Sequence, residues 1–244
     1  MILGIACAAF CATFAGGLFA LRLGDKLHLV LGFSAGAVIA VAFFDLLPEA
    51  IELGAGHERA ATLLEWSALG FLLYLVLDRV QLIHADRVRH DHHGGDARSV
   101  PRGALGAGSL SAHSFLDGVA IGLGFEAATA VGAVVTVAVL THDFSDGINT
   151  MNVVLKNGGD RRQGLRWLLA DAIAPGAGVA STLLFSVPER VLGIALAVFA
   201  GFFLYIGASD LIPESHHAHP RFLTTAMTVL GAGVLYLVVA VASR

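Results

Sequence analysis

The stretches His113-Ser114-Phe115-Leu116-Asp117-Gly118 and His142-Asp143-Phe144-Ser145-Asp146-Gly147 repeat one pattern, His-x-Phe-x-Asp-Gly, inside two long apolar segments. A histidine and an aspartate four residues apart lie on the same face of a helix. Ionisable groups at the depth of a lipid bilayer cost free energy, and they usually mark functional sites. The repeat therefore predicts two helices that direct two imidazoles and two carboxylates at one point inside a membrane.

The composition and the apolar segments predict a membrane protein with eight spans. Of 244 residues, 56% are hydrophobic and 14% are charged, with a mean hydropathy of +0.76, whereas soluble domains carry about 25% charged residues. Residues 84–101 form the one long connection, which is polar, rich in histidine and predicted to be mobile. We expect one all-α polytopic domain over 1–244, with spans near 1–21, 28–51, 60–83, 102–125, 128–155, 162–186, 189–214 and 221–242.

Basic residues are distributed unequally between the two ends of these spans. With the N-terminus outside, twelve Lys or Arg residues fall on the inner side and three on the outer side, as the positive-inside rule requires. We therefore expect an integral protein of the plasma or inner membrane, with both termini outside and the 84–101 loop in the cytoplasm. The inner residues are Arg22, Lys26, Arg79, Arg87, Arg89, Arg98, Arg102, Lys156, Arg161, Arg162, Arg166 and Arg221, and the outer residues are Arg59, Arg190 and Arg244.

A second motif is also duplicated. Asp45-Leu46-Leu47-Pro48-Glu49 in the second span recurs as Asp210-Leu211-Ile212-Pro213-Glu214 in the seventh, which runs in the opposite direction. The two His-x-Phe-x-Asp-Gly spans are antiparallel as well. Inverted repeats with a polar site at the midplane are typical of secondary transporters.

The polar side chains of the central spans suit a divalent metal. Imidazole nitrogen with carboxylate oxygen favours zinc, iron(II), manganese and similar ions. Asp143 points about 100° round the helix from His142, and Asp171 lies midway along the sixth span, so both could join Asp146 in a second metal position. The alternative is a set of His–Asp hydrogen bonds that only join helices, but so many buried charges need a counter-cation.

Other polar residues each allow two interpretations. Four carboxylates near helix ends are either solvated termini or part of a path by which cations arrive and leave: Asp45, Glu49, Asp210 and Glu214. Two histidine clusters either bind metal loosely or belong to polar loops: His90, Asp91, His92 and His93 in one, and His216, His217 and His219 in the other.

Some small residues have a structural explanation. Gly32-Phe33-Ser34-Ala35-Gly36 matches the G-x-S-x-G pattern of serine hydrolases, but that pattern needs a strand-to-helix turn. Here it lies inside an apolar helix, where small residues allow close packing. We interpret Gly118 and Gly147 in the same way.

Taken together, these motifs resemble the ZIP (Zrt/Irt-like) family of divalent metal transporters. The resemblance covers all eight spans, and its most specific part is the phrase from His113 to Gly122. It implies a 3+2+3 arrangement of helices with inverted outer triplets, and it is compatible with a homodimer. It also implies a binuclear metal centre, with a principal position at His113, Asp117, His142 and Asp146 and a neighbouring one at Asp143, Asp146 and Asp171.

The chain departs from many relatives at three positions near this centre. Ser114 stands where they have Asn, and a hydroxyl is a poorer ligand than an amide. Leu116 and Ser145 stand where they have Pro, so the kinks that proline causes in a helix are not expected to follow here.

These residues predict ATP-independent transport of a divalent metal, above all zinc, into the cytoplasm. The sequence contains no Walker-type glycine loop. We expect divalent ions and the lipid bilayer as partners, no nucleic acid, and no catalytic cofactor, since the metal is the substrate. The alternative is an intramembrane zinc hydrolase, which would use the same residues to activate water, but an inverted duplication has no obvious use in an enzyme.

Overall fold

All regular structure among the described residues is helical. The computed structural model describes residues 2–19, 27–90, 100–217 and 222–242. Within these ranges there are eight helices and no strand. The predicted all-α polytopic fold class is therefore confirmed, while the 3+2+3 order of the helices stays a prediction.

Two of the eight helices contain a π-helical turn. In α2 the turn Ala42–Leu46 joins Leu27–Val41 to Leu47–Gly54, and in α7 the turn Ile206–Leu211 joins Glu189–Tyr205 to Ile212–His217. The others are uninterrupted α-helices: α1 (Ile2–Phe19), α3 (Ala60–His90), α4 (Val100–Ala127), α5 (Thr129–Lys156), α6 (Arg161–Thr182) and α8 (Phe222–Ala242).

The helices follow the predicted segments except at two ends. α3 continues to His90 instead of ending at 83, because hydropathy marks the apolar part of a helix and the backbone can stay helical beyond it. α6 ends at Thr182 instead of 186, where the chain enters a turn in which the Leu184 amide donates to the Ser181 carbonyl. Residues 91–99 of the predicted mobile loop lie outside the described residues.

The chain divides into two compact units. The first comprises Met1–Leu23, Val76–Val119 and Asp143–Ala180, and the second comprises Gly24–Leu75, Ala120–His142 and Ser181–Arg244.

Glycines allow backbones to approach closely within the first unit. A Cβ on Gly147 would overlap the carbonyl oxygen of Thr13, and a Cβ on Gly118 would overlap that of Pro175. The same holds for Gly16 against Phe144. The interpretation of Gly118 and Gly147 as positions of close helix approach is thus confirmed.

The second unit uses glycine in the same way. A Cβ on Gly36 of α2 would overlap the Thr228 carbonyl oxygen of α8, and a Cβ on Gly231 would overlap that of Phe33. The G-x-S-x-G match lies wholly inside α2, so it is a packing pattern. Arg190 and Glu58 form an ion pair at the surface of this unit, with Nη2 and Oε1 2.6 Å apart.

Each π-helical turn coincides with one copy of the duplicated Asp-Leu-x-Pro-Glu motif. The Leu47 amide donates to the Ala42 carbonyl and the Ile212 amide donates to the Gly207 carbonyl, five residues back in both cases. Proline follows at the next position and has no amide to donate. π-Helical turns inside α-helices are rare and frequently occur at functional sites.

Among the residues that the structure describes, five helices are long and apolar enough to cross a membrane, judged by length and composition alone. Leu3–Phe19 is a shorter apolar helix. The limits of each span in the lipid, and a membrane position for the remaining helices, stay predictions. The five are His28–Gly54, Ala60–Val80, Thr129–Leu155, Glu189–His216 and Phe222–Val241.

Candidate metal centre

His113 and Asp117 lie one turn apart on α4. The relative exposure of His113 is 8% and that of Asp117 is 2%, and His113 Nε2 is 3.2 Å from Asp117 Oδ2. The four-residue spacing predicts a shared helix face, and this contact confirms it. α4 is uninterrupted at Leu116, so no proline kink displaces this pair.

α5 carries His142, Asp143 and Asp146, and all three are buried. His142 Nδ1 lies 2.9 Å from the Ala138 carbonyl oxygen. A neutral imidazole that donates its Nδ1 proton to this oxygen has its lone pair on Nε2, which is the state that a metal ligand needs. The division into units falls between His142 and Asp143, inside one uninterrupted helix, so helix geometry fixes His142 relative to Asp146.

The two pairs supply one group of potential ligands. His113 Nε2 is 3.9 Å from Asp146 Oδ2. Ligand atoms of His113, Asp117, His142 and Asp146 all lie within 4.8 Å of one another. Tetrahedral zinc with bonds of about 2.0–2.1 Å places its ligands about 3.3 Å apart. Small side-chain adjustments would therefore bring two nitrogens and two oxygens into a zinc shell.

Asp171 on α6 is fully buried and accepts two hydrogen bonds. Ser114 donates to Oδ1 at 2.8 Å, and Thr150 donates to Oδ2 at 2.8 Å. Asp143 is also fully buried. Neither Asp143 nor Asp171 belongs to the group of four potential ligands, so the binuclear arrangement that the resemblance implies stays a prediction.

The two copies of the Asp-Leu-x-Pro-Glu motif differ in exposure. Asp45 is buried and Glu49 is half-buried, whereas Asp210 and Glu214 are exposed. The two copies of one motif therefore lie in different surroundings. A role for the four carboxylates in a cation path stays a prediction.

His216 is the one residue of the two histidine clusters whose side chain the structure describes. Its Nδ1 lies 2.9 Å from the Ile212 carbonyl oxygen, and its Nε2 lies 3.2 Å from Thr225 Oγ1. These contacts give it a structural role at the end of α7. The other members lie outside the residues whose side chains are described: His90, Asp91, His92, His93, His217 and His219.

Thr150 contacts the site, and the motifs of the sequence do not single it out. This residue lies four positions after Asp146 and eight after His142, so it falls on the same helix stripe. That spacing could have identified it, but threonine is common in apolar helices and its hydroxyl contact to Asp171 depends on how α5 and α6 pack.

A sequence model of the family described as ZIP Zinc transporter matches residues 84–239, more than half of the chain. The chain belongs to the ZIP family. The predicted family is confirmed, and membership among ZIP transporters supports the expectation that the chain is not an enzyme.

Curated ZIP relatives match about half of the chain. Zinc transporter SLC39A7 of Homo sapiens is 31% identical over 147 residues, which is 56% of this chain and 31% of the relative. Zinc transporter ZIP10 of Danio rerio is 35% identical over 106 residues, 43% of this chain and 12% of the relative. Zinc transporter foi of Drosophila melanogaster is 28% identical over 130 residues, which is 52% of this chain and 18% of the relative. The chain thus spans about a third or less of the length of these ZIP proteins.

Proposed function

We propose that the chain carries divalent metal cations, zinc above all, across a lipid bilayer without ATP. The observation that carries this proposal is the group of four buried ligands, His113, Asp117, His142 and Asp146, within 4.8 Å of one another. Two imidazoles and two carboxylates match the ligand preference of zinc and similar ions. The names of the relatives, all zinc transporters, support the same cargo.

The same group explains why the ion can be bound and still leave. Two of its ligands lie on each of two helices, α4 and α5, so a small displacement of one helix against the other would separate the ligand pairs. A transporter needs a site of this kind, because binding must be followed by release on the other side. We propose the 3+2+3 inverted arrangement and a homodimer on the family resemblance.

Uptake into proteoliposomes tests the proposal. Vesicles that contain the purified protein should accumulate radiolabelled zinc with saturable kinetics and without added ATP. Unlabelled iron(II) and manganese should compete, because the His/Asp ligand set also suits those ions. Uptake equal to that of protein-free vesicles, or uptake only with ATP, would contradict the proposal.

We also propose that both termini face outward, in the plasma or inner membrane, and that zinc moves into the cytoplasm. A cysteine introduced near Gly56, at Ala55 in the exposed turn after α2, should react with a membrane-impermeant thiol reagent only from outside. A cysteine at His92 should react only from the cytoplasmic side. The labelling should be done in a background without Cys7 and Cys11, which are exposed. The opposite pattern would reverse the orientation derived from the basic residues.

A further inference from the structure

Three helices meet around His142 within the second unit. On the α2 side, the Ser34 hydroxyl donates to the Thr141 carbonyl oxygen of α5 at 2.8 Å. On the α7 side, the Phe203 ring packs against the His142 imidazole. α2 and α7 also contact each other, because a Cβ on Gly207 of α7 would overlap a side chain of α2. All of these residues belong to the second unit, so each pair of the three helices is in contact there.

The Phe203 ring and the His142 imidazole form a T-shaped contact. Their centroids are 6.1 Å apart and their planes cross at 80°. Aromatic pairs prefer this geometry, at centroid distances of about 4.5–7 Å. Phe203 is 1% exposed and His142 is 0% exposed. Because protein interiors are closely packed, neither ring can turn far without displacing its neighbours.

The contacts of His142 leave Nε2 as the atom that can bind an ion. Nδ1 lies 2.9 Å from the Ala138 carbonyl oxygen, which favours the tautomer with the proton on Nδ1. This hydrogen bond holds one edge of the imidazole, and the Phe203 ring restricts the rotation of its plane. A group that is already held in its bound orientation loses less conformational entropy on binding. The Phe203 contact should therefore strengthen metal binding by His142.

The nitrogen and oxygen ligands of the group of four do not suit all ions equally. A given set of ligands generally binds zinc more tightly than manganese, imidazole suits zinc, and carboxylate and water oxygens suit manganese. Correct placement of an imidazole should therefore matter more for zinc than for manganese. A general loosening of the site would instead weaken the binding of both ions.

We infer that Phe203 is a positioning residue for His142, and that its contact with the imidazole favours zinc over manganese at the centre. This inference rests on the proposed function, because it assumes that the ion binds at the group of four. Phenylalanine carries no ligand atom, so Phe203 acts only through the orientation of His142.

The affinities of Phe203 variants for zinc and manganese test the inference. Dissociation constants are measured by calorimetry on the purified protein. Binding that persists in Asp146→Ala is subtracted, since other histidines also bind metal. Phe203→Leu and Phe203→Met both remove the ring and keep an apolar side chain, and either variant suffices if the other does not fold. We expect both to raise the Kd for zinc on the order of 10-fold and to change the Kd for manganese much less.

Phe202→Leu is the matched control. Phe202 precedes Phe203 on α7, is 8% exposed, and packs its ring against Phe199 and Tyr74. This variant should keep the zinc preference of the wild type. Equal weakening of both ions by the Phe203 variants, unchanged zinc binding, or the same loss of zinc preference in Phe202→Leu would overturn the inference. If the wild type binds no more zinc than Asp146→Ala, the proposed function itself is contradicted.

Discussion

Zinc uptake is expected to fall to the level of protein-free vesicles when Asp146 is replaced by Ala. The substitution removes one of the four proposed ligands. His113 Nε2, which is 3.9 Å from Asp146 Oδ2, then has one carboxylate fewer nearby. Changes outside the ligand shell typically cost about 10–100-fold in metal affinity, and loss of a ligand should cost more. His142→Ala should have the same effect, and initial uptake rates in proteoliposomes measure both.

The control for this experiment is Glu65→Ala. Glu65 is an exposed carboxylate on α3, so its removal changes the net charge by the same amount without changing the ligand group. We expect this variant to transport zinc like the wild type. Near-normal uptake by a His142→Ala/Asp146→Ala double variant that is correctly inserted in the membrane would exclude the group of four from the mechanism.

Gly231→Ala is expected to destabilise the protein strongly, although it adds a single methyl group. Its Cβ would overlap the Phe33 carbonyl oxygen, so α2 and α8 would have to separate along their contact. Overpacking of this kind lowers the free energy of unfolding by about 1–3 kcal/mol. The neighbour here is a backbone atom, which has less freedom to move away than a side chain. The melting temperature in detergent, followed by circular dichroism, measures the loss.

Gly233 provides a matched control two residues away on the same helix. A Cβ on Gly233 would meet no atom within 4 Å, and alanine has a helix propensity about 1 kcal/mol better than glycine. Gly233→Ala should therefore leave the melting temperature unchanged or raise it. Equal melting temperatures for Gly231→Ala and Gly233→Ala would show that α2 and α8 do not approach as closely as described.

The fold class and the clustering of the four potential ligands could be predicted because both depend on local features of the sequence. A four-residue interval brings His113 to Asp117 and His142 to Asp146 wherever the segment is helical. The eight apolar runs of the sequence predicted where the eight helices lie. Helix ends were less predictable, since α3 remains helical after its apolar part and α6 ends within an apolar run.

The environment of the site depends on contacts between distant segments, which spacing cannot reveal. Ser114 and Thr150 meet at Asp171 only because three helices pack together. Asp45 and Asp210 occupy equivalent places in identical patterns, yet one is buried and the other exposed. The packing of neighbouring elements, and not the motif itself, decides whether such a carboxylate is buried.

The π-helical turns change how residue spacing in α2 and α7 should be read. An α-helix advances about 100° per residue, so a turn with one extra residue rotates everything after it by about that angle. A helical wheel drawn through Ala42–Leu46 as ordinary helix would assign Glu49 to the wrong side relative to Ala42 and the residues before it. The same error would affect Glu214 beyond Ile206–Leu211. Alignments that assign faces in these two helices should therefore restart the count after each π-helical turn.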